Sequence, residues 1–178
     1  MSQPPPKIAQ YAETITETLK TRSEELGLGE PRLVIEPGRS IVGRAGVALY
    51  SVGAVKTIPT IRKYVSLDGG MGDNIRPALY DSSYEAVVAN RPLSPPEETV
   101  TLVGKFCESG DYLIKDINLP VLNQDDIIAI PSSGAYAPSM ASNYNLNPKP
   151  PIVMLQDGEP TLIRRRETYQ DMMSTDIW

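Results

Sequence analysis

The sequence contains no histidine and a single cysteine among its 178 residues, and both facts restrict its chemistry. Without histidine, the chain itself cannot form a His-ligated zinc site, a Ser-His-Asp triad or an imidazole acid–base pair. A single cysteine excludes an internal disulfide framework, which is typical of a reducing compartment. We predict no metal site, and any catalysis must use carboxylates, tyrosines, lysines or Cys107.

Long apolar runs and an excess of positive charge are also missing. No window approaches the ~18 uninterrupted apolar residues of a membrane span, and residues 1–6 lack the apolar core of a signal peptide. The net charge of −5 disfavours nucleic-acid binding. We therefore expect a cytoplasmic globular protein, with a proper hydrophobic core, that binds neither nucleic acid nor membranes.

The first 42 residues follow a pattern of one helix and one strand. After three prolines, apolar residues recur every three, four or seven positions from Ile8 to Leu26, as in an amphipathic helix. A short apolar run over 32–36 then predicts a buried strand. Since one helix and one strand cannot cover both their faces, we interpret 1–42 as the last unit of an otherwise absent (β/α)8 barrel. The alternative is a self-contained α+β domain in which the helix packs on the following sheet.

Residues 43–178 are predicted to form a mainly β domain, because short runs rich in Val, Ile, Tyr and Thr alternate with Pro- and Gly-bearing turns. The runs are 46–57, 61–67, 85–89, 98–106, 111–114, 125–130, 152–156 and 161–165. Their spacing favours an antiparallel sandwich or barrel, and the pair Asp157-Gly158 predicts a hairpin between the last two. Short helices are expected over 139–146 and 167–176.

The most informative motif is the glycine-rich stretch from Leu67 to Tyr80. Three glycines in four residues let backbone pass close to a ligand or turn through positive φ, and Pro77 stiffens the segment that holds Arg76. The planar guanidinium suits a carboxylate or a phosphate. Taken alone, the stretch also fits an ordinary turn with a solvated arginine.

A second motif, Glu36-Pro37-Gly38-Arg39, places a carboxylate and a guanidinium just after the predicted strand. Barrel active sites lie at such strand ends, but an ion pair that fastens a loop fits equally well. Further along, Tyr136 follows Gly134-Ala and could bond a phosphate through its hydroxyl or anchor a turn.

A third motif, Cys107-Glu108, follows another predicted strand. A thiol with an unperturbed pKa of ~8.5 is mostly protonated at neutral pH, so Cys107 could give a proton to a carbanion. A lone cysteine is also often a small core hydrophobe, and that alternative stays open here.

The four motifs described above, taken in chain order, resemble the diaminopimelate decarboxylase family. These are pyridoxal-phosphate enzymes of the alanine-racemase-like barrel class that are related to ornithine decarboxylase. The resemblance covers nearly the whole chain, and its most specific part runs from Asp68-Gly-Gly-Met to Arg76-Pro-Ala-Leu-Tyr80. It implies an N-terminal (β/α)8 barrel, a C-terminal β domain of the fold-type III decarboxylases, and a head-to-tail homodimer with shared active sites.

The resemblance also implies a role for each motif. Residues that would border pyridoxal 5′-phosphate are Glu36, Pro37, Gly38, Arg39 and Tyr136. Residues that would hold substrate are Arg39, Arg76, Tyr80, Glu108 and Tyr136. Cys107 would be the proton donor, and it would reach with Glu108 into the partner's site.

Two arginines and a glutamate complement a diamino-diacid, whose unreactive end carries a carboxylate and an ammonium together. Lysine or ornithine would turn an ammonium towards Arg39 and Arg76, which is repulsive. The pattern therefore favours decarboxylation of meso-2,6-diaminopimelate to L-lysine and CO2, the last step of lysine biosynthesis. The cofactor would accept the electrons released as CO2 leaves, and Cys107 would protonate the resulting carbanion.

Enzymes of this family also need a lysine that attaches the cofactor and a histidine stacked on its ring, both on earlier barrel strands. This chain has no histidine, and none of its seven lysines has the expected strand context. We therefore expect it to be the C-terminal part of such an enzyme and inactive alone. Two alternatives are a related decarboxylase of another basic amino acid or carboxylated polyamine, and a non-catalytic dimerisation or binding module.

Overall fold

The computed structural model describes residues 5–177. The first of the three prolines before the helix, Pro4, therefore lies outside the described residues, as do residues 1–3 and Trp178. The chain divides into two compact units, one ending at Pro37 and the other beginning at Gly38. No helix in the described range is long and apolar enough to cross a bilayer.

The first unit consists of one helix and an irregular segment. Helix α1 spans Ile8–Glu25, as the apolar spacing predicted, and the chain leaves it through Gly27, whose φ is +63°. The strand predicted over 32–36 is not formed, because a strand needs a neighbour for its backbone hydrogen bonds and no described strand pairs with this segment. Its apolar side chains are exposed instead, for example Val34 at 72%.

The second unit is mainly β, and each of the eight predicted runs contains or overlaps a strand. The strands are β1 Ala48–Ile58, β2 Arg62–Leu67, β3 Val87–Val88, β4 Glu98–Val103, β5 Tyr112–Leu119, β6 Ile127–Ile130, β7 Ile152–Gln156 and β8 Glu159–Arg164. The unit also contains three short helices, α2 Arg76–Tyr80, α3 Ala137–Met140 and α4 Tyr169–Met172. It has 3-10 turns at Gly38–Ser40, Gly43–Ala45 and Tyr144–Leu146. The helix predicted over 139–146 corresponds to the end of α3 and the 3-10 turn at Tyr144–Leu146. The helix predicted over 167–176 corresponds to α4.

Six strands form one curled sheet in the order β3-β6-β1-β2-β4-β5. Strand β1 pairs first with β6 and then with β2, and the pairing with β2 has an irregularity between Val52 and Val55. The β2–β4 pair is parallel, so the sheet is mixed rather than purely antiparallel as its strand spacing predicted. Local sequence patterns report which face of a strand is buried, but they do not report the direction of its neighbour.

The core lies on the inner face of this sheet. Its fully buried members include Val65, Val100, Leu102 and Ile128, each 0% exposed. Burying each such side chain contributes about 1.5–3 kcal/mol, which stabilises the β domain without help from the first unit.

The strand directions bring four connections to one end of the sheet. The start of β1 lies beside the end of β6, since Ala48 pairs with Ile130, and beside the end of β2, since Val52 pairs with Leu67. Strand β4 runs parallel to β2 and therefore ends there too. We call the connections at this end, residues 38–47, 68–75, 104–111 and 131–147, the end loops.

The remaining strands, β7 and β8, form a separate hairpin. Gln156 pairs with Glu159 across the turn, and Asp157 and Gly158 have φ values of +52° and +86°. This is the conformation that an Asp-Gly hairpin turn requires, so the predicted hairpin is confirmed.

Candidate functional site

Backbone hydrogen bonds tie the end loops to one another. The donor–acceptor pairs are Ser133 N–H to Gly46 O (2.9 Å), Gly134 N–H to Gly43 O (3.0 Å), Lys105 N–H to Gly69 O (3.1 Å) and Ser142 N–H to Gly72 O (2.9 Å). Each bond joins residues that are distant in sequence. The motifs found separately in the sequence are therefore carried by one connected surface of the β domain.

Arg76 lies between two tyrosine rings on this surface. Its guanidinium carbon is 5.2 Å from the ring centroid of Tyr80, one helical turn further along α2, and 5.1 Å from that of Tyr136. Both distances are within the ~6 Å range of cation–π attraction. Arg76 Nε is buried and has no hydrogen-bond partner among the described residues. The arginine is thus held by aromatic faces while a buried donor stays unfilled.

Tyr136 occupies a strained backbone position next to Gly38. Its φ of +68° and ψ of −41° are rare for a residue with a side chain, and its carbonyl accepts the Met140 N–H at 2.8 Å. Gly38 has a φ of +57°, and a Cβ built on it would lie 3.4 Å from the Tyr136 hydroxyl oxygen. Two residues predicted to border a cofactor are therefore brought together.

The structure divides the Glu36-Pro37-Gly38-Arg39 motif between the two units. Arg39 is exposed in the first 3-10 turn of the β domain, and its Cβ would lie 3.2 Å from a Cβ added to Gly43. Glu36 and Pro37 are exposed at the end of the first unit. The joint role predicted for this motif stays a prediction.

Cys107 and Glu108 lie on the turn between β4 and β5, and both are exposed. The alternative that Cys107 is a small core hydrophobe is therefore wrong. The Glu108 carboxylate accepts the Gly110 N–H at 3.4 Å and the Tyr144 hydroxyl at 3.1 Å. These two bonds lower the pKa of Glu108, so that it stays ionised and presents a negative charge.

Tyr144 was not among the residues assigned from the sequence. Besides bonding Glu108, its ring packs at 5.9 Å between centroids on Phe106, the residue before Cys107. The hydrogen bond to Glu108 raises the pKa of the Tyr144 phenol. The contacts of Tyr144 are with a distant loop and leave no local pattern in the sequence. Only its position eight residues after Tyr136, in the same segment, could have drawn attention to it.

The glycines of the 67–80 stretch have a different purpose from the one expected. None of them takes a positive φ, and a Cβ on each would overlap a side chain of this chain. Gly69 admits the ring of Tyr50, and Gly72 admits the ring of Phe106. The glycines therefore let the loop pack against its own domain, which fixes the position from which Arg76 projects.

Comparisons with known proteins bear on the family of this chain. The family model of the pyridoxal-dependent decarboxylase C-terminal sheet domain matches residues 22–134. The diaminopimelate decarboxylase of Bacillus subtilis is 49% identical over 168 residues, which are 94% of this chain and 38% of that protein. The crystal structure of diaminopimelate decarboxylase from M. jannaschii in complex with L-lysine superposes with a TM-score of 0.87 at 34% identity, covering 100% of this chain and 40% of that one.

A Helicobacter pylori diaminopimelate decarboxylase complexed with L-lysine has the same fold, with a TM-score of 0.80 and 35% identity over 97% of this chain and 40% of that one. The chain thus spans about two fifths of the length of the relatives it matches. By the match to residues 22–134, the chain belongs to the pyridoxal-dependent decarboxylases, and that match is to their C-terminal sheet domain.

Proposed function

We propose that this chain is the C-terminal portion of a diaminopimelate decarboxylase, which converts meso-2,6-diaminopimelate to L-lysine and CO2. Within that enzyme, residues 1–42 would be the last helix–strand unit of the barrel and residues 43–178 the β domain. The exposed apolar side chains of the first unit, such as Ile8 and Val34, would then be covered by neighbouring barrel units. We expect the whole enzyme to be a cytoplasmic homodimer with shared active sites.

The observation that carries the proposal is the arrangement of Arg76. Its guanidinium is held by the rings of Tyr80 and Tyr136, and its buried Nε lacks an acceptor among the described residues. Arg76 as a whole is only partly buried, so a substrate carboxylate would accept from the outer N–H groups of its guanidinium, the side chain best shaped to bind it. Glu108, kept ionised by its hydrogen bonds, would reach into the partner's site of the homodimer and receive the ammonium at the same end of the diamino-diacid bound there.

The end loops also fit pyridoxal 5′-phosphate. The Tyr136 hydroxyl, which can bond a phosphate, lies beside Gly38, since a Cβ built on that glycine would be 3.4 Å from the hydroxyl oxygen. We propose that these two residues border the cofactor together with Glu36, Pro37 and Arg39. When bound, the cofactor supplies the electron sink that makes loss of CO2 possible.

The residues of this chain would then divide the remaining work. Arg76, Arg39 and Tyr80 orient the unreactive end of the substrate, which fixes the reacting carbon. The exposed thiol of Cys107 would reach into the partner's site, give its proton to the reacting carbon there after the bond to CO2 breaks, and regain a proton from solvent. The lysine that attaches the cofactor would come from the barrel.

The test joins this chain to the part it would need. We would replace the matching C-terminal portion of the Bacillus subtilis enzyme with this chain and compare the chimera with the 178-residue chain alone. With pyridoxal phosphate and meso-diaminopimelate, we expect the chimera to form L-lysine and CO2 in equal amounts and the isolated chain to form neither.

Lysine and ornithine serve as competing substrates in the same assay, since a lysine/ornithine decarboxylase from Vibrio vulnificus shares the fold at 25% identity and a TM-score of 0.66. A folded chimera that prefers either of them would favour the related-decarboxylase alternative. Robust turnover of diaminopimelate by the isolated chain would refute the proposal that the barrel is needed.

A further inference from the structure

Asp111 is a buried carboxylate at the base of two end loops, with only 5% of its surface exposed. Its Oδ1 accepts the backbone N–H of Met71 at 2.7 Å, and its Oδ2 accepts that of Phe106 at 2.7 Å. Met71 belongs to the loop that leads to Arg76, whereas Phe106 directly precedes Cys107. One side chain therefore holds the backbone of both loops.

The surrounding sequence is adapted to this carboxylate. A Cβ on Gly70 would overlap Asp111 from one loop, and a Cβ on Gly104 would overlap it from the other. Burial raises the pKa of Asp111, and the N–H groups of Met71 and Phe106 oppose that rise. An asparagine would lose one of the two bonds, because its amide nitrogen would face that N–H, and it would weaken the other, because its oxygen carries no full charge.

We propose that Asp111 is a positioning residue that holds Arg76 and the Cys107–Glu108 turn as one rigid unit. The inference rests on the proposed function, in which Arg76 binds the unreactive end of one substrate and Cys107 delivers the proton in the partner's site, so that Asp111 supports one loop of each shared site. Errors of about 1 Å in such placements cost about 100-fold in rate, so a shared anchor for the two loops has a direct catalytic consequence.

The structural part is tested by amide hydrogen exchange on the 178-residue chain. In D111N, the amides of both Met71 and Phe106 should exchange faster, by at least about tenfold at the amide whose bond is lost and by a smaller factor at the amide whose bond loses its charge assistance. D73N is the matched control, because Asp73 accepts the Gly70 N–H at 3.0 Å within its own loop. It should leave the Phe106 amide within about twofold of the parent chain.

A second variant guards against failure of D111N to fold. G104A keeps the Asp111 carboxylate, but the added methyl group displaces it. The amides of Met71 and Phe106 should therefore exchange faster in this variant too. Faster exchange at only one loop, in either folded variant, would overturn the proposal. So would unchanged exchange at both amides.

The catalytic part is measured in the chimera. D111N should lower kcat/KM for diaminopimelate about 10- to 100-fold, with a higher KM from the displaced Arg76 and a lower kcat from the displaced Cys107. D116N neutralises the exposed carboxylate of strand β5 that pairs with Arg62 of strand β2, and should change neither constant by more than about twofold.

The outcomes separate the two claims. A parent chimera without activity would refute the proposed function, while the exchange data would still decide whether Asp111 joins the loops. The positioning role would be overturned if the exchange data show that Asp111 joins the loops but D111N leaves kcat and KM of the chimera unchanged.

Discussion

Substitution of Arg76 by lysine tests the site most directly, because it keeps the positive charge and removes the guanidinium fork. L-Lysine, the product, retains the carboxylate of the unreactive end, whereas cadaverine has no carboxylate. If Arg76 binds that carboxylate, R76K should weaken diaminopimelate and lysine together and leave cadaverine unaffected.

The size of the effect follows from the contacts. The two rings, at 5.2 and 5.1 Å, contribute about 0.5–1 kcal/mol each to holding the guanidinium, and a lysine ammonium keeps part of this attraction. The larger loss is one of two charge-assisted hydrogen bonds to the carboxylate, about 1.5–3 kcal/mol. This corresponds to an increase of about 10- to 150-fold in the KM of diaminopimelate and the inhibition constant of lysine.

The assay is steady-state decarboxylation by the chimera, with lysine and cadaverine as competitive inhibitors. R62K is the matched control, because Arg62 is also partly buried and donates to Asp116 at 2.9 Å, away from the end loops. It should leave all three constants within about twofold. The assignment of Arg76 to the carboxylate is refuted if R76K weakens cadaverine as much as lysine, or if it leaves lysine unchanged.

Two predictions concern stability and are measured by urea unfolding of the 178-residue chain. L102A should cost about 2–5 kcal/mol because Leu102 is 0% exposed, and L93A, at 96% exposure, should change the free energy of unfolding by less than about 0.5 kcal/mol; equal effects would contradict the core described above. D126N should cost about 1.5–3 kcal/mol at pH 7. Since Arg91 holds the pKa of folded Asp126 at about 2, below its ordinary 3.8, the carboxylate stabilises the fold above pH ~4 and loses this effect as the pH falls towards 2. The gap between parent and D126N should therefore narrow from pH 5 to pH 3, and a widening gap would contradict the assignment.

Most of the β domain could be predicted from the sequence, because its signals are local. Val- and Ile-rich runs between Gly and Pro turns identified the strands, and the hairpin followed from Asp157-Gly158 alone. The parallel pairing of β2 with β4 joins segments more than 30 residues apart, for which a single sequence has no signal. The apolar run at 32–36 reads as a buried strand because of its composition, yet it has no strand partner among the described residues.

The site was predictable where its members are neighbours in sequence. Arg76 and Tyr80 are four residues apart, which is contact spacing on a helix. Glu108 and Asp111 are the same kind of group three residues apart, yet one is exposed and bonded to Tyr144 while the other is buried beneath two loops. Which carboxylate faces a ligand and which supports the backbone depends on contacts with distant loops. Sequence chemistry alone does not distinguish them.

Two arginines of this domain show how the structure separates support from recognition. Arg91 donates to the buried carboxylate of Asp126 at 2.7 Å and to the Val121 carbonyl at 2.5 Å. Its Nε and Nη2 donors are satisfied by the chain, so it stabilises the fold and has little to offer a ligand. Arg76 is held instead by aromatic faces, which attract the charge without accepting its N–H groups in their plane. A carboxylate in place of Tyr136 would anchor Arg76 more strongly, but it would also compete with an incoming carboxylate. Tyrosine rings hold the guanidinium in place and keep its donors available, which is the property that a carboxylate-binding arginine needs.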